Sequence, residues 1–282
     1  RIEPITRLVF APNLQPGFGQ QDFVPSQRMI DQEVVRIWQR HQPDLYDLSI
    51  MADDLVGTKS FAISRMVRYL SRVKNEGVET ASKSGVLAID LGGGSIVVSA
   101  GLKGKNRTVM VPNPTDLSPE FLARDCDEIN QWTSEPLTKQ EANQFLTNAF
   151  FQPGRIPETL RELSLTQARA RIMLRHALKE CSHKTPWFDY DPEKGLTGHF
   201  EPIVASGAVL TQTSNPAQAL LILLDSLQPR GITTFVLDRY HILPMLGLIG
   251  AIEPILPVQV LNSKAFLNLG CVINAVSAAP EG

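Results

Sequence analysis

One short stretch constrains this chain more than any other. Val86, Leu87, Ala88 and Ile89 form a continuous apolar run, Asp90 follows, and Gly92, Gly93, Gly94 and Ser95 make a turn. Ile96 to Ala100 then reads as a strand again, and Arg107 to Val111 as a third one after the turn at Lys103 to Asn106. A run of four apolar residues bounded by turn residues predicts a buried strand, and the residues after it predict a returning meander. An acidic residue delivered by a strand into consecutive glycines also has a chemical use. The strand holds the carboxylate where it can hold a metal-bound water, while backbone without side chains lets N–H groups close on phosphate oxygens. Ser95 adds a hydroxyl donor. A structural reading stands beside this one, because hairpin turns of type I′ or II′ take glycine for its φ alone.

A second unit of the same grammar follows. Ile203, Val204 and Ala205 form a strand, Ser206, Gly207 and Ala208 a turn, and Val209 and Leu210 continue toward a helix. A strand, turn and helix of this kind lets a base and ribose lie against backbone. Around these units the pattern alternates. Helices are expected from Ile30 to Gln42, from Leu55 to Val73 with Asp53 and Asp54 capping its start and Gly77 ending it, from Thr138 to Phe150 and from Pro157 to about Cys181. Further helices are expected at Pro216 to Leu227 and Pro244 to Ile252, with a strand at Thr233 to Leu237. Residues 8–10 read as a short strand and Pro186 to Gly198 as a loop. Strands with interleaved helices predict an α/β fold. The polar face of the second helix, with Lys59, Arg65, Arg68, Arg72 and Lys74, reads as a solvated surface.

Composition narrows the function classes. The 282 residues can bury a sizeable core, and 43% hydrophobic with 20% charged residues is the profile of a folded chain. With 27 Lys and Arg against 29 Asp and Glu, the net charge of −2 gives no field for a polyanion, so nucleic acid is not an expected partner. The longest uncharged apolar stretch, Ile242 to Ile252, is interrupted by Pro244 and is shorter than the ~18–20 residues that span a bilayer, so no membrane insertion is expected. The whole apolar segment Ile242 to Leu261 is expected to pack against the sheet. Cys126, Cys181 and Cys271 form no C-x-x-C pair, which points to a reducing cytoplasm. The opening on Arg1 is expected of a processed protein, a truncated chain or an excised domain. His176, Cys181 and His183 do not fall on one helical face as metal ligands would, and Asp125, Asp127 and Glu128 read as a solvated acidic cluster. Asp238 ends an apolar strand, where capping or turn formation is the plainer reading and a role at an α/β active site the sharper one. Ser206 lacks the flanking glycine of a nucleophile elbow.

Val86 through Ser95 resembles a phosphate loop of the actin-like ATPase superfamily, which includes sugar kinases, heat-shock chaperones and exopolyphosphatases, and Ile203 to Leu210 resembles its adenosine loop. The segments Gly231 to Asp238, Leu243 to Gly247, Pro257 to Leu261 and Ala265 to Gly270 are similar to the tail of the glutamate mutase MutL family. The resemblance covers roughly residues 55–276. It implies a ribonuclease-H-like mixed sheet with flanking helices over 85–276, a helical segment over 1–84 packed on it, and a tail at 277–282. It implies nucleotide binding by Asp90, Gly92, Gly93, Gly94, Ser95, Ser206 and Gly207, with ATP as ligand and Asp90 holding Mg²⁺ through water. The superfamily carries two such loops and this chain shows one, so it resembles a back half whose cleft is closed by another protein chain or by an N-terminal half. Val97 stands where MutL-like sequences commonly have an acidic residue, and Ala208 replaces the second glycine of the adenosine loop. Both departures argue against ATP hydrolysis by this chain alone. The implied role is that of an accessory or reactivating factor for a cobalamin-dependent mutase. The alternatives are a catalytically silent scaffold or complex subunit, and an exopolyphosphatase-like phosphohydrolase.

Overall fold

Alternation along one strand sets the architecture. In the computed structural model, β1 (Gly85–Leu91) is buried along its whole length, with Leu87, Ile89 and Leu91 entering one core and Ala88 another. The structure describes residues 9–15, 17, 24–73, 84–102, 105–112, 126–213 and 215–274. The start of the expected strand at 8–10, the Gly77 stop, Lys74, Asp125 and the tail at 277–282 lie outside them.

The turn after β1 returns the chain antiparallel as β2 (Ser95–Leu102), with Ile89 opposite Val98 and Leu91 opposite Ile96, and β3 (Lys105–Pro112) extends the meander. A two-strand hairpin, β4 (Tyr190–Asp191) and β5 (Gly195–Leu196), interrupts the segment expected to be loop. β6 (Phe200–Ser206) then pairs parallel with β1, β7 (Gly231–Leu237) parallel with β6, and β8 (Leu267–Asn274) closes the far edge antiparallel to β7. The order is β3-β2-β1-β6-β7-β8. This is a mixed α/β sheet of the ribonuclease-H-like kind, as expected.

The helices are α1 (Val24–His41), α2 (Pro43–Met51), α3 (Lys59–Val73), α4 (Lys139–Phe151), α5 (Leu160–Lys184), α6 (Ala208–Thr211), α7 (Pro216–Leu227), α8 (Ile242–Ile249) and α9 (Ile255–Leu261). On one face of the sheet Leu174 and Leu178 of α5 and Ile222 and Leu223 of α7 pack against Leu87, Ile89, Ile203 and Phe235, all buried. On the other face Ile63, Met66 and Val67 of α3 and Leu243 and Leu246 of α8 cover Ala88, Val97 and Val204. Full burial of each such side chain is worth roughly 1.5–3 kcal/mol, so both layers are held mainly by apolar contact. α8 sits close on α3 because Gly247 has no side chain: a Cβ there would lie 2.0 Å from the Ala62 carbonyl oxygen.

Two local expectations are corrected. Asp53 and Asp54 do not cap α3; both have left-handed φ in the turn after α2. The cap comes from Thr58, whose Oγ1 accepts from the Phe61 N–H at 3.3 Å, and the Thr58 N–H donates to Asp31 at 2.7 Å. Burial of Ile242 to Leu261 holds for Leu243, Leu246, Gly247 and Pro257, whereas Met245, Ile252, Ile255 and Val258 are exposed. Two short helices present only their inner faces to α3 and the sheet, so their outer apolar residues meet solvent. Among the described residues, no helix is long and apolar enough to cross a membrane.

Candidate functional site

The carboxyl ends of the parallel strands β1 and β6 lie side by side, with Asp90 opposite Ser206. In open α/β sheets this is the edge where ligands collect. Two glycine turns leave it. In the first, the Gly92 N–H donates to the Ser95 carbonyl at 3.1 Å and closes the hairpin. None of Gly92, Gly93 and Gly94 has positive φ, so this is not a turn of type I′ or II′ that takes glycine for its left-handed backbone. A Cβ at Gly92 would lie 2.7 Å from the Ser95 carbonyl oxygen, and one at Gly93 2.6 Å from the Pro153 carbonyl oxygen. At Gly94 a Cβ would meet nothing within 4 Å. In the second turn Gly207 has φ +110°, and a Cβ there would lie 2.2 Å from the Leu91 carbonyl oxygen.

Between these turns, on the α5 face, a cavity of about 490 Å³ opens. That falls in the size range of small-molecule sites. Gly92 and Gly93 form one side of its floor and Ala208 and Val209 the other, and Phe145 and Met173 are among the residues of its apolar wall. α4 and α5 wall it because their starts are firmly capped. Thr138 and Glu141 form a reciprocal capping box on α4, and the Thr159 hydroxyl accepts from the Glu162 N–H on α5 at 3.1 Å. The Thr138 N–H and hydroxyl hold the Glu141 carboxyl below its ordinary range, with Arg161 adding to the effect. The Glu158 N–H does the same for Glu162, assisted by Arg155, whose guanidinium lies 3.0 Å away.

The opposite face of the same edge is polar. The Asp90 side chain is 2% exposed; its Oδ2 is paired with the ammonium of Lys59 at the start of α3, and its Oδ1 is buried with no hydrogen-bond partner. The Ser206 hydroxyl lies 2.8 Å from His241 Nδ1. Asp238, fully buried, accepts the Ile242 and Leu243 N–H groups at 3.0 and 2.8 Å and so caps α8. Of the two roles considered for Asp238, capping is the one it performs. One oxygen of Asp90 is engaged by an ammonium and the other is sealed from solvent. With Lys59 seated, neither oxygen is offered to a Mg²⁺ ion or to the water shell through which Mg²⁺ is usually held.

The sheet thus brings all seven sequence-selected residues to one edge but divides them between its faces. Gly92 and Gly93 line the cavity, and Gly207 supplies the close crossing beneath Ala208. Asp90 and Ser206 face α3 and α8, and Gly94 and Ser95 stand outside the cavity lining. Sequence reasoning missed Lys59 and His241. For Lys59 a signal existed: a 15-residue helix and a 7-residue strand both measure roughly 23 Å, so a helix running back along β1 starts where β1 ends. Lys59 is therefore not part of a wholly solvated helix face.

A search of curated proteins finds no match. The family model described as MutL protein matches residues 3–265, nearly the whole chain, and this chain therefore belongs to the MutL protein family.

Proposed function

We propose that this chain is a nucleotide-linked accessory protein of the glutamate mutase MutL type, an actin-like half that serves a cobalamin-dependent mutase rather than an enzyme in its own right. The observation that carries the nucleotide is the cavity floored by both glycine turns. Its apolar wall suits a base, and the open flank of Gly94 leaves room for phosphate oxygens beside backbone N–H groups. A nucleotide seated in this open cavity would keep part of its surface in water, so binding by the chain alone is weak and strengthens when another protein chain or an N-terminal half closes the cleft.

The test is calorimetry with ATP and ADP, with and without Mg²⁺, on the wild type and on Ala208→Trp. Ala208 is exposed at the cavity floor, so an indole there fills the cavity without entering the core. Weak binding that Ala208→Trp removes supports the reading. Submicromolar affinity in the isolated chain contradicts the half-site, and no binding by wild type with or without its mutase contradicts the nucleotide. The second reading, a silent scaffold, is favoured by one observation: Lys59 and Ser95 already satisfy groups of the first turn that a nucleotide site would offer.

A further inference from the structure

The carboxylate that sequence reasoning assigns to a metal carries a cation of its own. Asp90 is buried at the end of β1, with one oxygen on Lys59 and the other without a partner. A buried carboxylate needs a compensating charge, and the Lys59 side chain supplies it while remaining half exposed, so its stem leads from solvent to the buried pair. α3 fixes the first residue of this stem: Thr58 caps the helix and is itself tied to Asp31, and α3 packs on β1, β2 and α8. A divalent ion could reach Asp90 only by displacing the ammonium.

We propose that Lys59 is the resident cation of Asp90, holding the place of a metal so that the carboxylate binds no divalent ion while α3 is seated. This goes beyond the nucleotide reading and does not need it, because it concerns what Asp90 binds in the free chain.

The probe is Mn²⁺ followed by electron paramagnetic resonance, which reads the free ion directly, on the full chain without nucleotide. Four proteins are compared: wild type, Asp90→Asn, Lys59→Met, and Lys59→Met with Asp90→Asn. Wild type and Asp90→Asn are expected to bind the same amount of Mn²⁺. Lys59→Met keeps the length of the stem and removes its charge, and is expected to gain one bound ion per chain, lost again in the double variant. Lys59→Arg is expected to behave as wild type. Near-ultraviolet circular dichroism checks that each variant is folded, and Lys59→Gln takes the place of Lys59→Met if that one is not. Mn²⁺ bound by wild type and lost in Asp90→Asn overturns the proposal, as does a folded, charge-free variant at position 59 that binds no more Mn²⁺ than wild type. Neither result touches the nucleotide reading, which stands or falls on ATP binding and Ala208→Trp.

Discussion

The two glycine turns at the end of the sheet read alike in the sequence and are built for different reasons. Gly207 is required by the fold. Its backbone is left-handed at φ +110°, and β1 passes so close that even a methyl group would overlap the Leu91 carbonyl. The three glycines after Asp90 need no left-handed backbone, and what crowds them differs from one to the next: the Ser95 carbonyl for Gly92, the exposed Pro153 carbonyl for Gly93, nothing for Gly94. A glycine that packing demands says nothing about ligands. One that packing leaves free is open to another explanation, and the contrast between Gly207 and Gly94 is where fold and function separate.

The largest effect is expected at Gly207. Gly207→Ala meets both a strained φ and backbone rather than a flexible side chain, so β6 and β1 must separate or α6 must shift, at a cost of ~3–5 kcal/mol. Urea denaturation reads this directly. A loss under ~1 kcal/mol would mean that the close crossing relaxes easily, and the contrast between the turns would collapse.

Next comes the pair that anchors the first turn. Lys59→Met leaves Asp90 buried beside an uncharged stem. Loss of one partner of a fully buried pair costs ~3–5 kcal/mol, but Lys59 is half exposed and its attraction is screened, so ~1–2 kcal/mol is expected. Lys59→Arg should restore most of that stability in the same denaturation experiment. Equal loss in both variants would show that the stem, not the charge, matters, and that the first turn is held like the second, by packing.

Acid should act on the cavity wall more than on its floor. Glu141 and Glu162 have folded-state pKa values below the ordinary 4.5, held down by the N–H groups that they cap. Their contribution is fully present above the unfolded value and disappears as pH falls through the lower folded one. The stability gap between wild type and Glu162→Gln should therefore close as pH drops below about 4.5. A gap that persists in acid would place the contribution of Glu162 in packing instead of in its charge.

How far the sequence revealed this arrangement depended on whether a residue's signal was local. β1 and β2 are visible as apolar runs between glycines, and α7 starts at Pro216 behind an Asn215 cap, so its bounds follow from neighbouring residues alone. β8 is an edge strand, exposed or half-buried along its length, and Asn268, Gly270 and Asn274 break any apolar alternation; only resemblance pointed to that segment. Asp53 and Asp54 imitate a helix cap, but the turn after α2 claims them, a competition settled by tertiary contacts. At the site, the turn glycines were legible and their partners were not. Lys59 is separated from Asp90 by a helix and a connection, and His241 from Ser206 by three elements. Among the four basic residues of α3, composition has no way to mark the one whose ammonium reaches a buried carboxylate.

The smallest effect on stability is expected at Gly94, and it is the most informative. A methyl group there meets nothing within 4 Å and the residue is exposed, so Gly94→Ala should change the unfolding free energy by less than ~0.5 kcal/mol. It can even stabilise slightly, because alanine loses less backbone entropy than glycine on folding at a position with ordinary φ. Ligand binding should not be indifferent. A phosphate that comes over Gly94 approaches the backbone more closely than a side chain allows, so Gly94→Ala should weaken ATP or ADP measurably in calorimetry while the urea midpoint stays in place. If affinity and stability are both unchanged, Gly94 is a solvent-exposed turn residue with no ligand above it, and the glycines of the first turn serve the hairpin alone.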